Sequence, residues 1–256
     1  MAGVVLVTGG ARGIGRATAL LAAEAGFAVA VHYRERADEA GAVGAEIERA
    51  GGRAAAVRGD VAEGADVERL FAEAEAALGP LTALVNSAGI GVHSRAADFE
   101  ADALTRLMAV NVVGTMLCCR EAVRRMSTAL GGRGGAIVNV SSMAATIGGR
   151  PGASAYAASK AAVDAFTVGL AREVAAEGIR VNAVRPGVTL TDMTDALRRD
   201  PDLRARVEAS IPMRRAAEAR EIAEAIVWLL SDRASFVSGA RIDVSGGGFV
   251  IGQATR

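Results

Sequence analysis

Tyr156 and Lys160 are the two side chains of this sequence that are best suited to acid–base chemistry. They stand four residues apart, so they share one face if the segment around them is helical. A phenol is a poor acid near neutral pH because its ordinary pKa is about 10, and a nearby ammonium favours the phenolate. The spacing therefore predicts that Lys160 lowers the pKa of Tyr156 and that this phenol exchanges a proton with a carbonyl oxygen.

The composition of the chain supports this interpretation. Lys160 is the single lysine, and every other one of the 29 basic residues is an arginine. Arginine cannot replace a compact ammonium whose pKa must be tuned. A surface lysine beside a packed tyrosine is the alternative, but it does not explain why the one lysine stands one turn from one of only two tyrosines.

Short apolar strands alternate with helical segments along the chain. The first strand-like run, 3–7, leads into a turn with Gly9, Gly13 and Gly15, and a helix follows. Glycines let the backbone approach a pyrophosphate, and a helix N-terminus offers it free N–H groups and a positive dipole. The pattern predicts an α/β fold: a single doubly wound Rossmann domain over 1–256, with a seven-stranded parallel sheet and helices on both faces.

Polar side chains at strand ends are the first candidates for the site. Asp60 and Asn86 end strand-like runs, and the carboxyl ends of strands are where open α/β sheets bind ligands. Asn111 stands inside a helical pattern, where asparagine is mildly unfavourable, which hints at a polar role.

Residues 188–217 break the alternation after a strand end and are predicted to form a substrate lid. The later strands are predicted at 28–32, 54–58, 81–85, 136–140, 179–184 and 237–247, and the later helices at 37–50, 63–78, 101–129, 154–177 and 218–231.

The end of the second strand indicates which dinucleotide binds. NAD sites usually offer an acid there to the ribose hydroxyls, but this chain has Tyr33 followed by Arg34. A guanidinium suits a 2′-phosphate by bidentate contact, and Arg12 could reach the same group. NADP(H) is therefore expected over NAD(H). Ordinary solvated arginines are the alternative, and the neighbouring Glu35 keeps that alternative open.

Charge and composition exclude several classes of function. The formal net charge is zero, so neither nucleic acid nor a membrane surface is an expected partner. The sequence has no run of about 18 apolar residues and no recognisable signal peptide, so a cytoplasmic protein is expected. Cys118 and Cys119 are adjacent, which suits small core residues better than a disulfide. His32 and His93 are far apart in sequence, and no metal site is predicted.

Taken together, these motifs resemble the short-chain dehydrogenase/reductase family, in the branch of 3-oxoacyl-[acyl-carrier-protein] reductases and glucose dehydrogenases. The turn 8–15 is similar to the family's cofactor loop, and 86–89 to its N-N-A-G element, with Ser87 in place of the second Asn. Pro186-Gly187 followed by Thr191 matches the nicotinamide-side loop. The residues that match the catalytic tetrad are Asn111, Ser142, Tyr156 and Lys160.

The resemblance implies hydride transfer between the nicotinamide and a carbonyl or carbinol carbon, with Tyr156 as the proton-exchanging group. It implies that Ser142 stabilises charge on the same oxygen, although Ser141 remains an alternative. It also implies that Lys160 binds the nicotinamide ribose and that Asn111 holds a water in a proton relay. The cofactor contacts expected in this way are Gly9, Arg12, Gly13, Ile14, Gly15, Tyr33, Arg34, Asp60, Val61, Asn86, Ala88, Gly89, Tyr156, Lys160, Pro186, Gly187, Val188 and Thr191.

The substrate and partners are predicted more broadly. A 3-oxoacyl thioester and a sugar, polyol or small ketone are both open. Arg133 stands where carrier-protein reductases place a basic docking residue, but Glu177 stands where a second is expected, so a generic carbonyl reductase or alcohol dehydrogenase is preferred. A homotetramer or homodimer is expected, since the family's last strand commonly lies at a subunit contact. The rival function is a non-catalytic NADP(H) sensor, which would be expected to have lost Ser142, Tyr156 or Lys160.

Overall fold

The computed structural model describes residues 3–248 of the chain. Its strands are β1 (Val4–Thr8), β2 (Ala28–Tyr33), β3 (Ala54–Arg58), β4 (Leu81–Asn86), β5 (Gly135–Val140), β6 (Ile179–Pro186), β7 (Thr189–Leu190), β8 (Ala217–Glu218) and β9 (Arg241–Val244). Its helices are α1 (Gly13–Glu24), α2 (Ala37–Arg49), α3 (Gly64–Leu78), α4 (Ala101–Met108), α5 (Thr115–Met126), α6 (Ala144–Ile147), α7 (Ser154–Val174), α8 (Ala196–Arg199), α9 (Pro201–Ala209) and α10 (Ala219–Leu230).

Seven of the strands form one parallel sheet in the order β3-β2-β1-β4-β5-β6-β9. Alternate residues of β1 serve the two faces: Val4 and Leu6 pack against α3, α5 and α7, while Val5 and Val7 pack against α1, α2 and α10. Both faces are thus covered, which explains the continuous apolar runs of the strands. The predicted fold class is confirmed. The last strand, predicted at 237–247, is limited to β9.

The helix predicted at 101–129 is built from three segments. α4 and α5 are joined by a π-helical turn, Ala109–Gly114, which contains the buried Asn111. By length and mean hydropathy (1.3), Ala101–Met126 alone among the described residues could cross a membrane, although helices in the core of soluble proteins meet the same criterion. It packs against β4, α3 and α7 as such a core helix does. Cys118 and Cys119 are both free and buried within it, as predicted.

The segment 188–217 is more ordered than its sequence pattern indicates. β7 pairs in parallel with β8, and α8 and α9 lie between them. Leu190, Leu197, Val207 and Ala216 form a small hydrophobic cluster of their own. This segment, called the lid below after its predicted role, is therefore a packed unit that stands directly after the carboxyl end of β6. Helix α7 continues as a short 3-10 turn and ends, as predicted, at Gly178 with φ +75°.

Candidate active site

A cavity of about 540 Å³ lies at the carboxyl ends of the strands, where β1 and β4 send their connections to opposite faces of the sheet. Such a switch point is where doubly wound sheets bind their ligands. The cavity is walled by the glycine turn after β1, the loops after β2 to β6, the start of α7 and the lid. Most of the residues predicted from widely separated motifs are therefore brought to one place.

The glycine turn tolerates no side chain at two of its positions. A Cβ on Gly15 would stand 2.1 Å from the carbonyl oxygen of Gly9, and a Cβ on Gly9 (φ +65°) would stand 2.9 Å from the Cα of Ala88. Helix α1 begins at Gly13 and has no acidic residue in its first turn. Its positive end is left uncompensated, which suits a phosphate.

His32 holds the glycine turn against the next loop. Its Nδ1 accepts from the Gly9 N–H at 3.0 Å, and its Nε2 faces the Gly59 carbonyl oxygen at 3.0 Å, which identifies Nε2 as the protonated nitrogen. Burial lowers the pKa of His32, although the Gly59 carbonyl opposes the shift, so the ring is neutral near pH 7. The sequence excludes His32 from a metal site but does not predict these contacts. Its position at the end of a strand was the available signal.

Ion pairs surround the end of the cavity that is lined by β2 and β3. Arg12 contacts Asp192 of the lid at 3.1 Å, and Arg34 pairs with Glu35 and lies 3.7 Å from Asp60. Asp60 is also held at 2.6 Å by Arg106, which sequence reasoning did not identify. Burial raises the pKa of Asp60, but hydrogen bonds from the Ala62 N–H and Arg106 outweigh it, so the pKa is lowered.

The predicted acid–base pair is present on α7. Tyr156 and Lys160 both face the cavity, and the Lys160 Nζ lies 5.9 Å from the centroid of the Tyr156 ring. Nζ donates to the carbonyl oxygen of Val140 at 2.8 Å. Burial raises the pKa of Tyr156 more than its hydrogen bond with Ser142 lowers it. The prediction that the pKa of Tyr156 is lowered is therefore wrong for the protein without a bound ligand. The spacing of two residues in the sequence carries no information about their desolvation.

The two serines after β5 have different surroundings. The Ser141 hydroxyl donates to the Lys160 carbonyl oxygen at 3.2 Å, so it anchors the backbone of α7. The Ser142 hydroxyl hydrogen-bonds with Tyr156 and accepts from the Ala144 N–H at 3.1 Å. Only Ser142 therefore shares its hydrogen bonding with the phenol.

The Asn111 side chain lies outside the cavity and supports one of the loops that line it. Its Oδ1 accepts from the Ile90 N–H at 2.9 Å, and its Nδ2 donates to the Ile90 carbonyl oxygen and the Ser159 hydroxyl, both at 3.0 Å. The side chain therefore fixes the loop after β4 against α7. Its role as the holder of a relay water stays a prediction.

Two of the predicted cofactor contacts, Asn86 and Val188, also lie off the cavity. The Asn86 side chain is buried and donates to Asn139 Oδ1 at 2.9 Å and to Cys119 Sγ at 3.2 Å. The Val188 carbonyl oxygen accepts from the Ala217 N–H at 2.9 Å within the lid. The predicted contacts that do line it are Gly9, Arg12, Gly13, Ile14, Gly15, Tyr33, Arg34, Asp60, Val61, Ala88, Gly89, Tyr156, Lys160, Pro186, Gly187 and Thr191.

Known proteins are similar to this chain in sequence and fold over almost their whole length. Residues 9–248 match the family described as enoyl-(acyl carrier protein) reductase. The chain belongs to the short-chain dehydrogenase/reductase family. This membership confirms the resemblance drawn from the motifs, and it makes the protein an oxidoreductase that acts on CH–OH groups with an NAD(P) cofactor.

Relatives within the family carry several names. The chain is 49% identical over 245 residues to the uncharacterized oxidoreductase YgfF of Escherichia coli, covering 95% of this chain and 99% of the relative. It is 41% identical to glucose 1-dehydrogenase of Gluconobacter oxydans, covering 95% and 90%. It is 38% identical to 3-oxoacyl-[acyl-carrier-protein] reductase FabG of Staphylococcus epidermidis, covering 94% and 97%. A solved dehydrogenase/reductase from Sinorhizobium meliloti superposes with a TM-score of 0.90 at 39% identity, covering 97% of this chain and 96% of that one.

Proposed function

We propose that this short-chain dehydrogenase/reductase is an NADP(H)-dependent carbonyl reductase or alcohol dehydrogenase in which Tyr156 is the general acid and base. The observation that carries the proposal is the convergence of Tyr156, Ser142 and Lys160 on the cavity that the glycine turn borders. A proton donor and an oxygen-binding hydroxyl would then face one substrate oxygen, and the ammonium would stand beside the proton donor.

The residues around the cavity fit a dinucleotide. Gly9 and Gly15 let the turn pack tightly, because a side chain at either position would clash with backbone, and the N-terminus of α1 offers N–H groups to the pyrophosphate. Asp60 and Val61 would bind the adenosine half and Lys160 the nicotinamide ribose. Pro186, Gly187 and Thr191, which line the cavity, would hold the carboxamide. When bound, the cofactor supplies or accepts the hydride.

The side chains of this protein would move the proton. In reduction, the Tyr156 hydroxyl donates to the substrate oxygen while Ser142 hydrogen-bonds the same atom and stabilises its developing charge. The Lys160 ammonium stabilises the phenolate that remains. The raised pKa of Tyr156 keeps the phenol protonated at neutral pH, which is the form that reduction requires.

The preference for NADP(H) is supported by the side chains after β2. Tyr33 brings no carboxylate, and Arg34 and Arg12 line the same cavity. We expect Arg34→Asp to lower the NADPH-to-NADH ratio of kcat/KM by roughly 10–100-fold, because a charge-assisted hydrogen bond contributes about 1.5–3 kcal/mol. The ratio is measured by following absorbance with each cofactor. Arg49→Asp makes the same charge change at the exposed end of α2 and should leave the ratio as it is. An unchanged ratio in Arg34→Asp would refute the role given to Arg34.

The substrate is proposed only as a class. The substrate end of the cavity includes Ile90, Gly91 and Met193, which suits an apolar carbonyl compound. Reduction of a 3-oxoacyl thioester is the second candidate, supported by the FabG relative and the exposed Arg133. A panel of ketones, sugars and oxoacyl esters with NADPH tests both. Tight NADPH binding without turnover on any of them would favour the sensor instead.

We propose a homotetramer or homodimer, as the resemblance to the family implies. Three large apolar side chains are exposed along α4, the π turn and α5: Met108 at 40%, Val113 at 46% and Met116 at 37%. An apolar surface of this kind marks an interaction site. Light scattering should therefore give a mass two or four times the 26.0 kDa of the chain, and Val113→Glu should lower it. A monomer at micromolar concentration would exclude this assembly.

A further inference from the structure

The substrate end of the cavity is bounded by two short segments, the loop after β4 and the 3-10 turn Asp192–Thr194 of the lid. Gly91 of the loop and Met193 of the lid both line the cavity. A Cβ on Gly91 would lie 4.0 Å from Met193 Sδ and, its chain neighbours aside, would meet no other atom of residues 3–248 within 4 Å. The two segments therefore stand about one methyl group apart at this point.

The loop after β4 forms a fixed wall near Lys160. Asn111 binds both backbone groups of Ile90: its Oδ1 accepts from the N–H at 2.9 Å, and its Nδ2 donates to the carbonyl oxygen at 3.0 Å. A Cβ on Gly89 would lie 3.5 Å from Lys160 Nζ. Gly91 follows these two residues directly, so the contacts of its neighbours set its position relative to Lys160.

The lid turn that carries Met193 is held on both sides of this residue. Asp192 pairs with Arg12 of the glycine turn at 3.1 Å. The Thr194 hydroxyl donates to the Thr189 carbonyl oxygen at 2.6 Å. The Met193 side chain is 56% exposed, so it has room to change rotamer, and a thioether chain with three rotatable bonds adapts to what it contacts. Met193 is therefore the adjustable wall of the gap.

These two segments offer no free charge to a substrate. Residues 89–91 and 191–194 contain one ionisable side chain, Asp192, which is already paired with Arg12. A pocket wall of this composition recognises its ligand by shape and apolar contact. The size of the gap, rather than a charge, is then what separates one substrate from another.

We propose that Gly91 and Met193 together set the size limit for the substrate, so that the protein selects compact, uncharged carbonyl compounds or alcohols over those with a long or bulky substituent. The absence of a side chain at Gly91 leaves the space, and the thioether of Met193 bounds it from the other side. This inference rests on the proposed function and narrows it to a substrate class.

Met193→Ala is expected to widen the gap. Rates are followed by NADPH absorbance for methyl ketones whose second substituent grows from methyl to hexyl. The kcat/KM for the hexyl ketone relative to that for the methyl ketone should rise by on the order of tenfold, since one methylene in an apolar pocket changes kcat/KM by roughly 10–200-fold. Met213→Ala makes the same change in the same lid, at a position that is 60% exposed and does not line the cavity, and should leave the ratio unchanged. Equal ratios in the two variants would overturn the proposal.

Gly91→Ala provides a test in the opposite direction, because the added methyl would contact Met193 Sδ and narrow the gap. The φ of Gly91 is not positive, so alanine fits there without backbone strain. The same ratio should fall by about tenfold, and it should fall less in the Gly91→Ala/Met193→Ala double variant, where the sulfur that the methyl meets is gone. General damage to the site would lower both rates and leave their ratio unmoved. Additive effects of the two substitutions would refute a shared gap.

Ligand binding separates this inference from the proposed function. Tyr156→Phe with bound NADPH keeps the gap but lacks the proposed proton donor, so the dissociation constants of the same ketones, measured by NADPH fluorescence, report on size alone. If Met193→Ala tightens the binding of the hexyl ketone but Tyr156→Phe retains turnover, the size limit stands and the role of Tyr156 fails. If Tyr156→Phe is inactive and Met193→Ala leaves the order of the constants unchanged, the reverse holds. Failure of every ketone to bind to any variant would refute the size limit, whatever the result for Tyr156.

Discussion

Tyr156→Phe is expected to lower kcat by about 10²–10⁴-fold, the range that a positioned acid–base group supplies, while NADP(H) still binds. Phenylalanine keeps the ring that packs at the start of α7 and removes only the hydroxyl that hydrogen-bonds with Ser142. Lys160 and the glycine turn are untouched. The loss should therefore appear in kcat, measured from NADPH absorbance, and not in the dissociation constant, measured by fluorescence titration.

Ser142→Ala offers a comparison within the same site. It keeps the proton donor and removes one hydrogen bond to the substrate oxygen, so its loss should be smaller than that of Tyr156→Phe. If Tyr156→Phe keeps turnover within about tenfold of the starting protein, less than acid–base catalysis contributes, another group moves the proton. If it also loses cofactor binding, the variant reports on folding, and circular dichroism would show that.

Gly15→Ala is expected to weaken NADP(H) binding by on the order of 10²-fold, corresponding to about 3 kcal/mol. The added Cβ would lie 2.1 Å from the carbonyl oxygen of Gly9, a distance at which the backbone must move. Gly9 cannot yield easily, because its N–H is bound to His32 and its Cα side faces Ala88. The turn would open just where the pyrophosphate is expected to lie.

Gly41→Ala is the matched control for this substitution. Gly41 also lies in a helix, α2, and a Cβ there would meet no atom within 4 Å. Alanine should therefore leave cofactor affinity unchanged and raise the free energy of unfolding by up to about 1 kcal/mol. Equal affinities in the Gly15→Ala and Gly41→Ala variants would show that the tight turn is not needed for binding.

Most of the fold could be predicted because the residue pattern that specifies each strand or helix lies within that element. Each strand and helix carries its own apolar period, and the glycine turn lies between the first strand and the first helix, where a dinucleotide site requires it. The π turn around Asn111 could not be predicted, since one wider turn leaves no distinct pattern in a mostly apolar helix. The lid was recognised as an interruption but not as a packed unit, because its cluster joins Leu190 to Val207 and Ala216 across short, irregular elements.

The site could be predicted where its residues stand close in sequence or end a strand. Tyr156 and Lys160 needed only a helical spacing. His32 meets Gly59, and Arg106 meets Asp60, across 27 and 46 residues, and no local pattern marks either contact. The error about the pKa of Tyr156 has a similar cause, because the degree of burial is set by the packing of several distant segments. Gly91 and Met193 likewise come together only in the folded chain.

The π turn has a consequence for how this helix tolerates change in length. Each residue of an α-helix rotates the chain by about 100° around the helix axis. A π-helical turn accommodates one additional residue without interrupting the helix. Ala109–Gly114 therefore sets the rotation of α4 and α5 about the helix axis. Because of it, the two helices can each present a different face to the sheet. Losing a residue there would rotate one half relative to the other and swing the Asn111 amide away from Ile90, so homologous chains should conserve their length at this point more strictly than their side chains.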